Sequence, residues 1–173
     1  MDIHQEIQHL VDATDRSLDS VTEPVSEGEF VDIVNFLEGT RHCTVSGFVY
    51  NNAGELLFVR HEDEIGWLPP GGMVEPGESI ETACIREIRE ESGVDAVVEE
   101  PRYIRRGTYV NGDNSVAWYV VKLLCQAIDP TTGTNLGIEG EPIIDARWFD
   151  DIPEPLHELA RRDHLEQAFN SIN

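Results

Sequence analysis

Three carboxylates, Glu87, Glu90 and Glu91, stand at positions i, i+3 and i+4 of the chain. On a helix that spacing puts them on one face, where three like charges repel by about 0.2–0.5 kcal/mol per close pair. A divalent cation reverses that sign. Hard oxygen donors, retained waters and phosphate oxygens are the usual surroundings of Mg2+. Arg86 precedes Glu90 by four residues, placed to hold that carboxylate by a charge-assisted bond. Cys84, Ile85 and Ile88 point elsewhere and are free to bury. In so acidic a chain a face of three glutamates is also how plain solvated surface reads, so the trio alone decides nothing.

The segment carrying the trio has clear helix punctuation. Ser79 suits the N-cap, Glu81 the first turn and Gly93 the C′ position, which predicts a helix over 79–92. Ahead of it, 62–78 is irregular and rich in Gly and Pro. Further upstream, His42–Tyr50 and Glu55–His61 are rich in β-formers and flank the turn Asn51–Gly54, a hairpin. Downstream, strand candidates at 95–110 and 115–127 meet at Asn111-Gly-Asp-Asn114, a strong hairpin signal. A loop at 129–141 leads into a strand Ile143–Phe149 and a final helix over 154–171. Before all this, Ile3, Ile7, Leu10 and Val11, then Leu18 and Val21, recur at helical spacing. The pattern breaks at Pro24–Gly28 and resumes through Phe30, Ile33, Val34 and Leu37. Two helices are expected there. Strands, a helix, more strands and a terminal helix make an α+β layout, a mixed sheet sandwiched by helices. The expected division is an N-terminal helical extension over 1–38 and a principal domain over 39–173.

The whole run from Gly72 to Val94 changes the odds for the trio. It resembles the Nudix box, G-x5-E-x7-R-E-U-x-E-E-x-G-U with U aliphatic, at every specified position: Gly72, Glu78, Arg86, Glu87, Ile88, Glu90, Glu91, Gly93 and Val94. Trp67-Leu-Pro-Pro-Gly-Gly72 is similar to the family's approach to the box, with a doubled Pro69-Pro70 where one proline is commoner. Ala146–Phe149 followed by Asp-Asp-Ile-Pro153 resembles its closing strand and turn. The likeness covers about residues 42–153 and leaves the N-terminal extension aside.

The resemblance to this MutT-like hydrolase family implies an α/β/α sandwich and Mg2+-dependent hydrolysis, with Mn2+ as an alternative ion. It implies that Glu87, Glu90 and Glu91 bind metal, joined by the carbonyl of Gly71, with Gly72 against the diphosphate. Glu78 and Arg86 would brace loop against helix. Members often recruit a further glutamate beyond the box as ligand or general base; Glu139 sits where that loop should be, and Glu141 is the fallback. The general base is then Glu87 or Glu139. Arg60, at its strand's end, is a candidate phosphate contact or a surface arginine. The expected substrate is a nucleoside diphosphate linked to another moiety: a nucleoside triphosphate, a dinucleoside polyphosphate or a nucleotide sugar. Tyr103, Tyr109 and Trp118 are available for base stacking. The subfamily that hydrolyses ADP-ribose often carries a proline about fifteen residues past the box, where this chain has Tyr109. A Nudix-fold nucleotide sensor is the rival reading, but sensors usually lose box glutamates, and here all are present. An isoprenyl diphosphate isomerase would want a reactive cysteine, and Cys43 and Cys125 show no activating partner.

Composition bounds the rest. Thirty-four acidic residues face twelve basic ones among 173, a formal net charge of -22, and Lys122 is the only lysine. Such a surface is either solubilising or adapted to molar salt, and the spread of acids along the whole chain favours the second, halophilic reading. It should repel nucleic acid outside a metal-bearing cleft. No apolar run approaches a membrane span, the N-terminus lacks a secretory pattern, and the three cysteines form no metal-type or redox-type spacing. A reduced, cytoplasmic protein is expected. The apolar stripes before residue 38 need burial, on a flank of the domain or in a homodimer contact.

Overall fold

The computed structural model describes residues 1–14, 17–62, 64–134, 136–138 and 141–172, with Glu141 described by its backbone alone. In chain order the elements are α1 (Ile3–Asp12), β1 (Asp19–Pro24), α2 (Glu27–Leu37), β2 (Cys43–Tyr50), β3 (Leu56–His61), β4 (Gly71–Met73), α3 (Ile80–Ser92), β5 (Asp95–Asn111), β6 (Asn114–Asp129), β7 (Gly137–Ile138), β8 (Glu141–Phe149) and α4 (Arg162–Ile172). The strands run in the order β1-β5-β6-β2-β3-β8-β7, and β4 adds to β2. The sheet is mixed: β1 with β5 and β2 with β6 are parallel, whereas β5–β6 and β3–β8 are antiparallel.

Side chains alternate across each strand, so each face has its own core. Val45 and Val49 of β2, and Val121, Leu123 and Cys125 of β6, pack with Ile80, Ala83, Cys84 and Ile88 of α3 and with Ile7 of α1. On the other face, Phe48, Leu56, Phe58 and Leu124 receive Leu165 and Ala168 of α4. This is the expected sandwich. Gly47 lets α3 lie close to β2, since a Cβ there would stand 2.8 Å from Ile88 Cδ1.

The N-terminal segment differs from its expectation. The two helices exist, but strand β1 lies between them and extends the main sheet at its edge. Leu18 and Val21 therefore do not belong to a helix. Their spacing imitated helical periodicity, while the strand's partner is remote: Tyr103 of β5 donates to Asp19 Oδ2 at 2.9 Å across 84 residues. The terminal helix also starts later than expected, at Arg162. The chain before it is drawn onto the 62–70 loop: Trp67 donates its N–H to Pro155 and accepts from His157. Short strands β4 and β7 form inside segments expected to be irregular.

Candidate active site

Helix α3 carries the acidic face, and its ends are fixed as the sequence anticipates. Ser79 Oγ accepts from Thr82 N–H at 3.1 Å, and Gly93 closes the helix in the left-handed conformation at φ 75°. Of the trio, Glu87 and Glu91 are buried, and Glu90 is about one third exposed. Acids are seldom buried without partners.

Arg86 supplies partners for several of them. Its Nε and Nη2 grip the two oxygens of Glu78 at 2.8 and 2.9 Å, a two-pronged contact. Its Nη1 donates to Glu87 Oε1 at 2.8 Å and Glu90 Oε2 at 3.0 Å, and Nη2 also reaches Met73 O at 3.1 Å. One guanidinium thus ties the 72–79 loop to the metal-type face of α3. Its hydrogen bonds hold the Glu78 carboxyl below the usual carboxylate range, and Glu78 in turn pushes the Arg86 guanidinium further up. Glu91 points the other way, accepting the Gly71 N–H at 2.8 Å and lying 3.4 Å from His61 Nε2.

The two glycines before α3 are required by proximity. A Cβ on Gly72 would stand 2.4 Å from Glu87 Oε1, and one on Gly71 would stand 2.3 Å from Val45 O. β4 pairs Gly71 with Ser46 and Gly72 with Val45, which lays the loop's backbone along the sheet beside the carboxylates. Glu78, Arg86, Glu87, Glu90, Glu91, Gly71 and Gly72 therefore converge in one place.

Arg60 does not join this hydrogen-bonded group. It lies over the Trp67 ring at 5.4 Å, and its buried Nε has no hydrogen-bond partner. Glu139 falls outside the described residues. His61 is the residue that the sequence reading missed; an alternating strand pattern gives no sign that its ring meets a glutamate thirty positions on. The aromatic candidates are scattered: Trp118 stacks near Phe36 and Tyr109, at centroid distances of 5.3 and 6.5 Å, whereas Tyr103 lies against His164 at 4.2 Å.

The donor set suits a hard divalent cation: carboxylates from adjacent turns with a backbone segment beside them. Among the described residues no three acidic, histidine or cysteine side chains are grouped closely enough to hold a metal ion by themselves. Mg2+ keeps waters and takes substrate oxygens, so a complete protein cage is not what its chemistry demands. The cysteines offer no rival chemistry. Cys84 and Cys125, far apart in sequence, meet at 3.9 Å between sulfurs. That distance is well beyond the about 2.05 Å of a disulfide, and both thiols are free and buried. The hydrogen bond to Cys125 and burial push the Cys84 thiol up, and burial pushes Cys43 to about 12, so neither supplies a thiolate nucleophile.

The family model described as the NUDIX domain matches residues 40–167. Nucleoside triphosphatase NudI of Escherichia coli is 31% identical over 127 residues, covering 67% of this chain and 86% of that protein. A MutT-like protein of Streptomyces ambofaciens is 37% identical over 65 residues, 38% of this chain and 42% of its own length. The chain spans only 27% to 42% of the length of three of the curated relatives that it matches. Among solved structures, an ADP-ribose pyrophosphatase from Streptococcus suis superposes with a TM-score of 0.56 at 18% identity, covering 75% of this chain and 90% of that one. With the box geometry and a match over most of its length, the chain belongs to the Nudix family.

Proposed function

We propose that this protein is a Nudix pyrophosphohydrolase that uses Mg2+, or Mn2+ in its place, to cleave a phosphoanhydride in a nucleoside diphosphate linked to another moiety. The observation that carries the reading is the Arg86 clamp, which gathers Glu78, Glu87 and Glu90 around one guanidinium while Glu91 is tied to Gly71. Glu87, Glu90 and Glu91, with the Gly71 carbonyl, would hold the ion. Bound there, Mg2+ would neutralise the diphosphate, polarise its P–O bond and acidify a water.

The chain's own residues do the rest. Glu87 or Glu139 accepts the proton of the attacking water as its oxygen bonds to phosphorus and the bridging P–O bond breaks. No covalent enzyme intermediate is needed. Gly72, which lets the Glu87 carboxylate lie directly against the loop backbone, is the residue we place beside the diphosphate. Arg60, part-exposed at the end of β3 and lying over the Trp67 ring, is the candidate phosphate contact from outside the box. His61 steadies Glu91 from the β3 side. Trp118, with Phe36 and Tyr109 around it, is a candidate aromatic for stacking on a base.

The net charge of -22 favours free nucleotides over nucleic acid as substrates. It is also the basis for reading the surface as halophilic. Among the described residues no helix is long and apolar enough to cross a membrane, and the three cysteines are free. Cytoplasm is accordingly the compartment we assign. The test is a panel of nucleoside triphosphates, dinucleoside polyphosphates and nucleotide sugars with Mg2+ in molar KCl. Release of a nucleotide and a phosphate or second phosphorylated product, abolished by a chelator and restored by Mg2+, supports the reading. Turnover that is unaffected by the chelator overturns it.

A further inference from the structure

Glu6 lies in α1, outside the segment that the family match covers, yet it touches the loop that opens α3. Its Oε1 accepts the N–H of Ile80 at 2.6 Å, and its Oε2 accepts from Arg41 Nη1 at 2.6 Å. Arg41 Nη1 also donates to the carbonyl of Glu78, and Arg41 Nη2 to the carbonyl of Met1 at 2.8 Å. The pair is well shielded, with 12% of the Arg41 side chain and 16% of that of Glu6 exposed.

These contacts fall on particular groups. Ile80 is the first residue of α3, and its N–H is among the four at a helix start that lack a partner within the helix. Ser79 serves Thr82 N–H, and Glu6 serves Ile80 N–H from another element. A carboxylate at that end also complements the helix dipole. Glu78 is held twice, its carboxylate by Arg86 and its carbonyl by Arg41. The start of α3, the helix that carries Glu87, Glu90 and Glu91, is thus held partly from α1. Apolar packing alone would keep α1 in place, since Ile7 is buried and Ile3, Leu10 and Val11 pack around it. The polar pair adds a link from α1 to the box.

We propose that Glu6 and Arg41 are positioning residues for the Nudix box, so that the segment before the family domain takes part in metal binding by fixing the start of α3. This rests on the metal-dependent reading above. Displacements of order 1 Å in a catalytic group cost about a hundredfold in rate. Loss of a direct hydrogen-bond partner of a metal ligand typically costs about 10–100-fold in metal affinity, and Glu6, acting through the start of α3, belongs at the low end of that range. The fold of α1 should survive Glu6→Gln, which keeps size and packing.

The experiment compares full-length wild type, Glu6→Gln and Ile7→Ala, with Mg2+ alone as the calorimetric probe and turnover of the best panel substrate as the second readout. Ile7→Ala loosens the apolar packing of α1 on α3 and keeps the Glu6 hydrogen bonds. At a temperature where all three are folded, Glu6→Gln should weaken the Mg2+ dissociation constant by about tenfold and lower kcat, whereas Ile7→Ala should lower the melting temperature and leave both near wild type. Mg2+ affinity in Glu6→Gln within twofold of wild type overturns the proposal. So does an equal loss in Ile7→Ala, which would make the effect one of general stability. If wild type binds Mg2+ but cleaves no nucleotide, the proposed activity fails while the affinity comparison still decides the role of Glu6.

Discussion

Replacing Arg86 by methionine removes one side chain and leaves three acids without their shared cation. The guanidinium makes five hydrogen bonds, four of them to Glu78, Glu87 and Glu90. Removing one partner of a buried ion pair costs about 3–5 kcal/mol. Because 22% of the Arg86 side chain and 31% of that of Glu90 remain exposed, solvent takes up part of the loss, and the low end, about 3 kcal/mol, is the better figure. For a chain of this length that corresponds to a fall of about 6–12 °C in melting temperature. The pH dependence separates this cause from lost packing. Arg86 holds the Glu78 carboxyl below its ordinary value, so its stabilisation is present above an unfolded pKa of about 4.3 and is lost as pH falls through the lower folded value. Differential scanning calorimetry from pH 7 down to 3.5 should show the gap between wild type and Arg86→Met narrowing below about pH 4.3. A drop under about 2 °C at pH 7, or a gap constant through that range, would refute the clamp as the organiser of the site.

Gly72→Ala places a methyl 2.4 Å from the Glu87 carboxylate; kcat should fall at least about tenfold, with a smaller change in melting temperature, and unchanged turnover would mean the loop is not fitted to Glu87. Burial brings the Lys122 pKa down to about 8, so this cation costs stability at neutral pH, a cost relieved as pH rises from about 8 toward its ordinary about 10.4. Lys122→Met should therefore melt higher than wild type at pH 7 and lose that advantage by pH 10, and a lower melting temperature at pH 7 would contradict the account. Screening shortens the Debye length from about 10 Å at 0.1 M to about 3 Å at 1 M salt. Melting temperature and activity should accordingly both rise with KCl up to about 1 M, while a flat or falling curve would make the acidic surface one of ordinary solubility.

The local parts of the site were legible because their signals are local. Ser79, Gly93 and the glutamate spacing describe one helix, and the Asn111–Asn114 turn joins two strands that pair with each other. What escaped depends on partners far apart in sequence. Strand β1 is short and exposed, and its partner lies beyond α3, so Leu18 and Val21 offered only a misleading spacing. Glu6 is one of many acids in the chain, and nothing near it in sequence points to Ile80. His61 reaches Glu91, and Cys84 reaches Cys125, only once α3 is packed on the sheet. The late start of α4 has the same origin: Pro155 and His157 bond the backbone of Trp67 instead of continuing a helix.

Metal-supported hydrolysis by the α3 carboxylates is the centre of this account, and Glu90→Gln and Glu91→Gln test it most directly. Each substitution keeps size and removes one ligand charge. With the best substrate of the panel at saturating Mg2+, kcat should fall at least about a hundredfold in each variant, equivalent to about 2.7 kcal/mol of lost transition-state stabilisation. Circular dichroism should show the fold unchanged. Turnover within a few-fold of wild type in either variant, at saturating Mg2+ and with the fold intact, would contradict the assignment of these carboxylates to the metal.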